Sequence, residues 1–157
     1  MQEEAIKAKG GCLCGKVRYE AEVFIKSGYY CHCAICQQAS GHAGEVGVPV
    51  KIGTLVFTDG EPTYYTSSEF GKRGFCAQCG TKLIWKATDA ELDWATNVNA
   101  GSLDNRGDVQ LTRHIYIDTQ MPWNRISDGL PRFAEPDMEA VMEMWMKERG
   151  ADPLRSK

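Results

Sequence analysis

Seven cysteines stand in three clusters: Cys12 and Cys14 in CLC, Cys31, Cys33 and Cys36 in CHCAIC, and Cys76 and Cys79 in CAQCG. None is isolated. An odd number of cysteines, all clustered, argues against a disulfide framework and for metal ligation or thiol chemistry. The C-x-x-C-G of Cys76 to Gly80 is a knuckle pattern, in which a tight turn aims two sulfurs at one metal and the glycine takes the positive φ that such a turn often needs. A closed structural zinc takes four ligands, and Cys12 with Cys14 is the pair whose use leaves the central three together. Two positions apart in an extended segment, both sulfurs face one side, and a bend at Gly15 lets both reach one ion. Cys12, Cys14, Cys76 and Cys79 are therefore assigned to one closed, all-thiolate zinc site.

Cys31, Cys33 and Cys36 then form a three-ligand set. Zinc held by three protein ligands keeps an open position for water or substrate, as catalytic zinc sites do. Three thiolates bring such an ion to a net charge of about −1, a modest Lewis acid but a good seat for an exogenous thiolate, because a coordinating thiol loses its proton. Two zinc ions per chain are expected, one structural and one catalytic. Competing readings are a redox dithiol at Cys76 and Cys79, a second closed site completed by His42, and iron in place of zinc, since tetrahedral sulfur suits both metals. His32, between Cys31 and Cys33, would face the other way in an extended segment.

The elements that must position these thiols read mostly as short strands. Val17, Tyr19, Ala21 and Val23 alternate in KVRYEAEV, as do Val46, Val48 and Val50. LVFT and TYYT flank Asp59-Gly60-Glu61-Pro62, a hairpin-like connection, and TKLIWKA, WATNVNA and HIYID add further candidates. A short helical turn is expected from Ala34 to Ser40. One longer helix is expected near the C-terminus, where Met138, Val141, Met142 and Trp145 fall at i, i+3, i+4 and i+7 after Pro136-Asp137 and before Gly150.

The chain of 157 residues, 43% hydrophobic, has the size of one domain, and 1–157 is read as a single zinc-binding domain. A formal net charge of -3 and the lack of any Lys/Arg run speak against nucleic acid as a partner. No stretch suggests a membrane span, and MQEEAIKAKGG does not read as a secretory signal, so a cytoplasmic location is expected. Oligomeric state is not legible.

Together GGCLCGKVRY, YCHCAICQQASG, KRGFCAQCGTKLIW, NAGSLDN, the stretch at His114, Trp123 and DGLPRF resemble the glutathione-dependent formaldehyde-activating enzyme family, related to centromere protein V, from Gly10 to about Phe133. The resemblance implies a mainly β fold, a zinc-pinned β-tent of small antiparallel sheets with a C-terminal helix. It puts Cys12, Cys14, Cys76 and Cys79 on the structural zinc and Cys31, Cys33 and Cys36 on the catalytic one. It also implies a carbon–sulfur lyase for which glutathione and formaldehyde are the partners and S-hydroxymethylglutathione the adduct. Family members commonly carry a basic residue just after the third central cysteine, where this chain has Gln37-Gln38. Ser40 and Gly41 are candidate donors beside the open zinc, and Arg113, His114, Trp123 and Arg125 candidate pocket residues. A thiol carrier without catalysis and a zinc-stabilised interaction scaffold are the alternatives.

If the division of the thiols holds, each chain carries two metal ions with unequal roles. Metal binding at a structural zinc is worth on the order of 10–16 kcal/mol, comparable with the whole net stability of a domain. Cys12→Ser or Cys79→Ser is expected to abolish folding, whereas Cys33→Ser should leave a folded protein with one metal. Circular dichroism with metal analysis distinguishes this from equal loss in both classes.

Overall fold

The computed structural model describes residues 3–151. In chain order the elements are β1 (Ile6–Gly11), β2 (Arg18–Val23), β3 (Gly28–Cys31), α1 (Ala34–Ser40), β4 (Glu45–Pro49), β5 (Val56–Asp59), β6 (Thr63–Thr66), β7 (Gly71–Phe75), β8 (Lys82–Ala87), β9 (Asn97–Asn99), β10 (Leu111–Ile115), β11 (Arg132–Phe133) and α2 (Met138–Glu148). The fold is mainly β. Strands β1, β2 and β5 form a three-stranded antiparallel sheet, and the other eight form a second sheet in the order β11-β10-β3-β4-β9-β8-β7-β6. Pairing in the larger sheet is antiparallel except at one end, where β10 runs parallel to both β3 and β11. Among the described residues no helix is long and apolar enough to cross a membrane.

Alternation in sequence sorts side chains between two cores. In β2, Tyr19, Ala21 and Val23 are buried while Arg18, Glu20 and Glu22 face outward. With Ala8 they meet Val48, Ile84 and Val98 of the larger sheet in the first apolar cluster, which also holds Cys12 and Cys76. Adjacent residues of a strand point to opposite faces. Tyr29 lies opposite Gly47 and so projects from the face that Val48 does not use. There Tyr29, Cys31 and Ile115 pack against Met138, Val141, Trp145 and Met146 of α2, with Cys36 and Trp94, as a second cluster. The larger sheet is thus covered by the smaller sheet on one face and by α2 on the other.

Four expectations from the sequence change. The segment at Asp59-Gly60-Glu61-Pro62 is not a hairpin, because β5 pairs with β2 while β6 pairs with β7, so it carries the chain from one sheet to the other. In α2, Met146 is buried and Met142 is 43% exposed, so the apolar stripe runs through Met138, Val141, Trp145 and Met146. The stripe leans toward the C-terminal end because the buried Arg149 continues the same face. Met138 and Met146 on it are core packing. The strand expected in WATNVNA begins only at Asn97, since Trp94 and Ala95 close a 3-10 turn, and the one in HIYID ends at Ile115.

The crossover depends on Gly60. Its φ is 56°, and a Cβ there would lie 2.3 Å from the Lys16 carbonyl oxygen. Gly129 has a similar φ of 74° but open space around it. Gly129→Ala is expected to cost only the left-handed strain of about 1–2 kcal/mol, and Gly60→Ala more, because backbone must also move. Chemical unfolding of the two variants side by side tests this; equal losses would remove the crossover clash from the account.

Candidate metal centres

The first centre is built by two turns that face each other across the sequence. Gly15, with φ 78°, closes the turn after Cys12 and donates its N–H to the Cys12 carbonyl at 3.1 Å. Cys12 and Cys14 therefore sit in a tight turn rather than an extended strand. In the second turn the Gly80 N–H reaches the Cys76 carbonyl at 2.8 Å with φ 74°. Thr81 joins the two: its hydroxyl accepts from the Leu13 N–H at 3.0 Å and lies 3.2 Å from Cys79 Sγ. The sulfurs of Cys12, Cys14, Cys76 and Cys79 all lie within 4.8 Å of one another, with Cys12–Cys14 at 3.6 Å and Cys14–Cys76 at 3.7 Å. Those separations are too long for a disulfide, whose sulfurs stand about 2 Å apart. They match the edge of about 3.8 Å that a tetrahedron with metal–sulfur bonds of about 2.3 Å requires.

The second centre is local. Cys31 ends β3, Cys33 caps α1 and accepts the Cys36 N–H on its sulfur at 3.3 Å, and Cys36 lies in the first turn of α1. Their three sulfurs again fall within 4.8 Å of one another, with Cys31 and Cys36 buried and Cys33 half-buried. Without a cation the three cannot all ionise. Hydrogen bonds from Cys31 and Cys36 pull the Cys33 thiol far down. The contacts with Cys33 and Cys36, together with burial, push Cys31 well up. Cys36 rises to about 12, since the Cys33 contact and burial outweigh the bond from Cys31. Three thiols that split in this way are a site for a cation that stabilises all three as thiolates. Both centres therefore fit a sulfur-binding metal ion.

Histidine completes neither centre: among the described residues the second group consists of the three cysteines alone. The His42 ring faces Tyr30, with Nδ1 3.5 Å from the phenol oxygen, and meets the edge of Trp123. His32 faces away from its flanking cysteines, as the alternation implied, and does so fully buried. Its Nε2 lies 2.9 Å from His114 Nδ1, and His114 Nε2 lies 2.8 Å from Asp128 Oδ2. The Leu130 N–H and His114 hold the Asp128 carboxyl below its usual range. A carboxylate only accepts, so His114 donates from Nε2–H to Asp128, and as a neutral imidazole it accepts on Nδ1 from His32 Nε2–H. Burial holds His32 neutral by lowering it to about 4. The same residue is pinned through its backbone: Gln37 Nε2 and Thr119 Oγ1 donate to its carbonyl at 2.7 and 2.9 Å, and its N–H reaches the Ile115 carbonyl at 3.0 Å. Cys31 and Cys33 point to one side because the residue between them is anchored on the other.

The remaining candidates scatter. Gln37 is spent on two carbonyls, of His32 and Thr119. Ser40 donates to the Gln37 and Gly44 carbonyls and Gly41 takes φ 67° at the end of α1, which are helix-ending roles. Arg113 is buried in an ion pair with Glu148 at 2.6 Å, whereas Trp123 is 66% exposed and Arg125 is exposed, so these do not converge on a pocket with His114. The sequence reading missed Arg73 of β7. Its guanidinium donates to Cys36 Sγ at 3.3 Å and to Ser67 Oγ at 3.1 Å and pairs with Glu45, which Lys82 also reaches at 2.6 Å. The available signal was weak, an arginine next to Gly74 in a strand that opens at Gly71. Tyr116, the one non-glycine residue with positive φ among those described, at 56°, packs against the second cluster beside Cys33.

A mainly β chain carrying two cysteine clusters, one of four sulfurs and one of three, each able to hold a metal ion, defines the class. Residues 7–119 match the family described as glutathione-dependent formaldehyde-activating enzyme, and the chain belongs to that family. A crystal structure of a Rhodobacter sphaeroides protein superposes with a TM-score of 0.53 at 23% identity, over 66% of this chain and 99% of that one, a likeness of fold. No curated protein matches the chain.

His114→Ala leaves the buried His32 Nε2–H without an acceptor. An unsatisfied buried donor costs about 1–3 kcal/mol. Asp128→Asn retains a side-chain oxygen to accept from His114 and should cost less. Chemical unfolding at equal metal content measures both, and an Asp128→Asn as damaging as His114→Ala would contradict the assigned direction of the relay.

Proposed function

We propose that the chain catalyses the reversible addition of glutathione to formaldehyde, giving S-hydroxymethylglutathione, a carbon–sulfur lyase reaction written in its reverse direction. The observation that carries this reading is the three-sulfur group at Cys31, Cys33 and Cys36, to which the described residues bring no fourth ligand, in a chain of this family. In the addition, the thiol sulfur forms a bond to the aldehyde carbon and the thiol proton ends on the former carbonyl oxygen. On this reading Cys31, Cys33 and Cys36 would hold a zinc ion and Cys12, Cys14, Cys76 and Cys79 a structural one. Bound at the three-cysteine centre, zinc supplies stabilisation of a thiolate at neutral pH.

The chain's own residues do the rest. Cys33 is the half-buried member of the set and marks the side from which a ligand approaches. Tyr116 and Phe133 are, like Cys33, partly buried residues packed against the second apolar cluster. Gln37 already serves two carbonyls, so the carboxylates of glutathione would find their contacts elsewhere. Thiols used as metal ligands stay reduced in a compartment such as the cytoplasm, which is where this reading expects the chemistry to take place.

Free glutathione is mostly protonated at neutral pH, with a thiol pKa of about 8.5. Full-length protein mixed with glutathione and formaldehyde is expected to speed interconversion of the adduct above the spontaneous background in NMR exchange measurements. Cys31→Ser and Cys36→Ser should remove the excess. Glutathione binding with no rate above background would make the protein a carrier, and no binding would point to a different thiol.

A further inference from the structure

Three thiolates sharing one ion leave a surplus of negative charge that the surrounding protein must meet. The second apolar cluster offers little for this purpose, since its members are chiefly aromatic and aliphatic. One cation does reach a sulfur. Arg73 is buried and places Nη2 3.3 Å from Cys36 Sγ. Every arm of its guanidinium is used: Nε on Ser67 Oγ, Nη1 on Glu45, Nη2 on the sulfur. Glu45 is in turn held by Lys82 at 2.6 Å, so Arg73 sits in a buried frame whose position is set from three strands, β4, β7 and β8. A charged fork fixed in this way can orient a sulfur and withdraw electron density from it, which a flexible surface lysine cannot.

Resting on the reading of Cys31, Cys33 and Cys36 as a metal centre, we infer that Arg73 is its positioning residue, holding Cys36 Sγ in the ligating direction and offsetting part of the charge of the three sulfurs. Arg73 faces the cluster from a different sheet position than any ligand: the three cysteines come from β3 and α1, whereas Arg73 comes from β7, beyond β4, β9 and β8 in the sheet order. A strand near the far end of the larger sheet thus meets a sulfur of the local centre. Loss of a partner that supports a metal ligand typically lowers metal affinity about 10–100-fold.

The test uses full-length protein loaded with cobalt(II), whose thiolate charge-transfer and d–d absorption reports the ligand sulfurs directly. Wild type should bind two ions and Cys33→Ser one, which assigns the signal of the three-cysteine centre; a single ion in wild type would overturn the metal-centre reading and the inference with it. With two ions in wild type, Arg73→Met is expected to release the ion of the three-cysteine centre to a competing chelator about 10–100-fold more readily, with a shifted charge-transfer band and an unchanged four-cysteine centre. Arg73→Lys, which keeps the charge but not the fork, should recover part of the loss. An Arg73→Met protein with unaltered affinity and spectrum would overturn the inference. So would one that weakens both centres equally without recovery by lysine, because that is the behaviour of a residue that only supports the fold. Absence of glutathione–formaldehyde turnover alongside the expected cobalt result would leave the inference standing and remove the proposed reaction.

Discussion

Sulfurs gathered within 4.8 Å of one another repel as soon as they ionise, and this repulsion organises the molecule. Two unit charges about 4 Å apart interact at about 4 kcal/mol for an effective dielectric constant of about 20, and a four-sulfur cluster holds six such pairs. A cation held between the sulfurs would offset this repulsion. The four-sulfur cluster joins the turn after β1 to the turn between β7 and β8, hence the smaller sheet to the far end of the larger one. Cys12 and Cys76 are at the same time buried members of the core between the sheets, so ligation and apolar packing act at one place.

The second cluster is arranged on a different principle. Cys31, Cys33 and Cys36 are contiguous and need no distant ligand, yet their geometry is over-determined by neighbours: the His32 backbone is held on the opposite side, Arg73 meets one sulfur, and α2 covers the core beneath them. The helix is tied in through aromatic packing, with the Tyr29 and Trp145 rings 4.9 Å apart, and through Arg149, whose guanidinium lies 5.3 Å from the Trp145 ring and donates to the Trp94 carbonyl. Burial of that cation among aromatic rings lowers it to about 10. Rigid support on both sides of a short ligand segment is what a site needs if its sulfurs are to keep one geometry.

The thiols were the most legible part of the chain, because cysteine spacing is set by the chemistry of ligation and survives any detail of folding. The grouping into four and three, the extent of α1 from Ala34 to Ser40, and the turning of His32 away from its flanking cysteines were all readable from spacing and alternation. Strand pairing was not. Two runs joined by Asp59-Gly60 look like a hairpin in sequence, and only the backbone contact at Lys16 and the pairing of β5 with β2 send them into separate sheets. Parallel pairing of β10 with β3 and β11 likewise depends on segments far apart in the chain, for which local periodicity carries no information. Arg73 stayed hidden for the same reason: nothing beside it in sequence reveals that β7 faces Cys36.

The contrast between a contiguous and a dispersed thiol set also governs how the molecule comes into being. As the chain is made, Cys12, Cys14, Cys31, Cys33 and Cys36 are all present before Cys76 is added, with 39 residues between the last of them and Cys76. During that interval the first pair of thiols has only the central three as alternative company. Early capture of one ion by thiols of both groups would bind segments that belong on opposite faces of the larger sheet. The contacts that keep the first pair of thiols together are short in sequence, since Cys12 and Cys14 lie in the connection between the paired strands β1 and β2, whereas Cys14 and Cys76 meet across 62 positions.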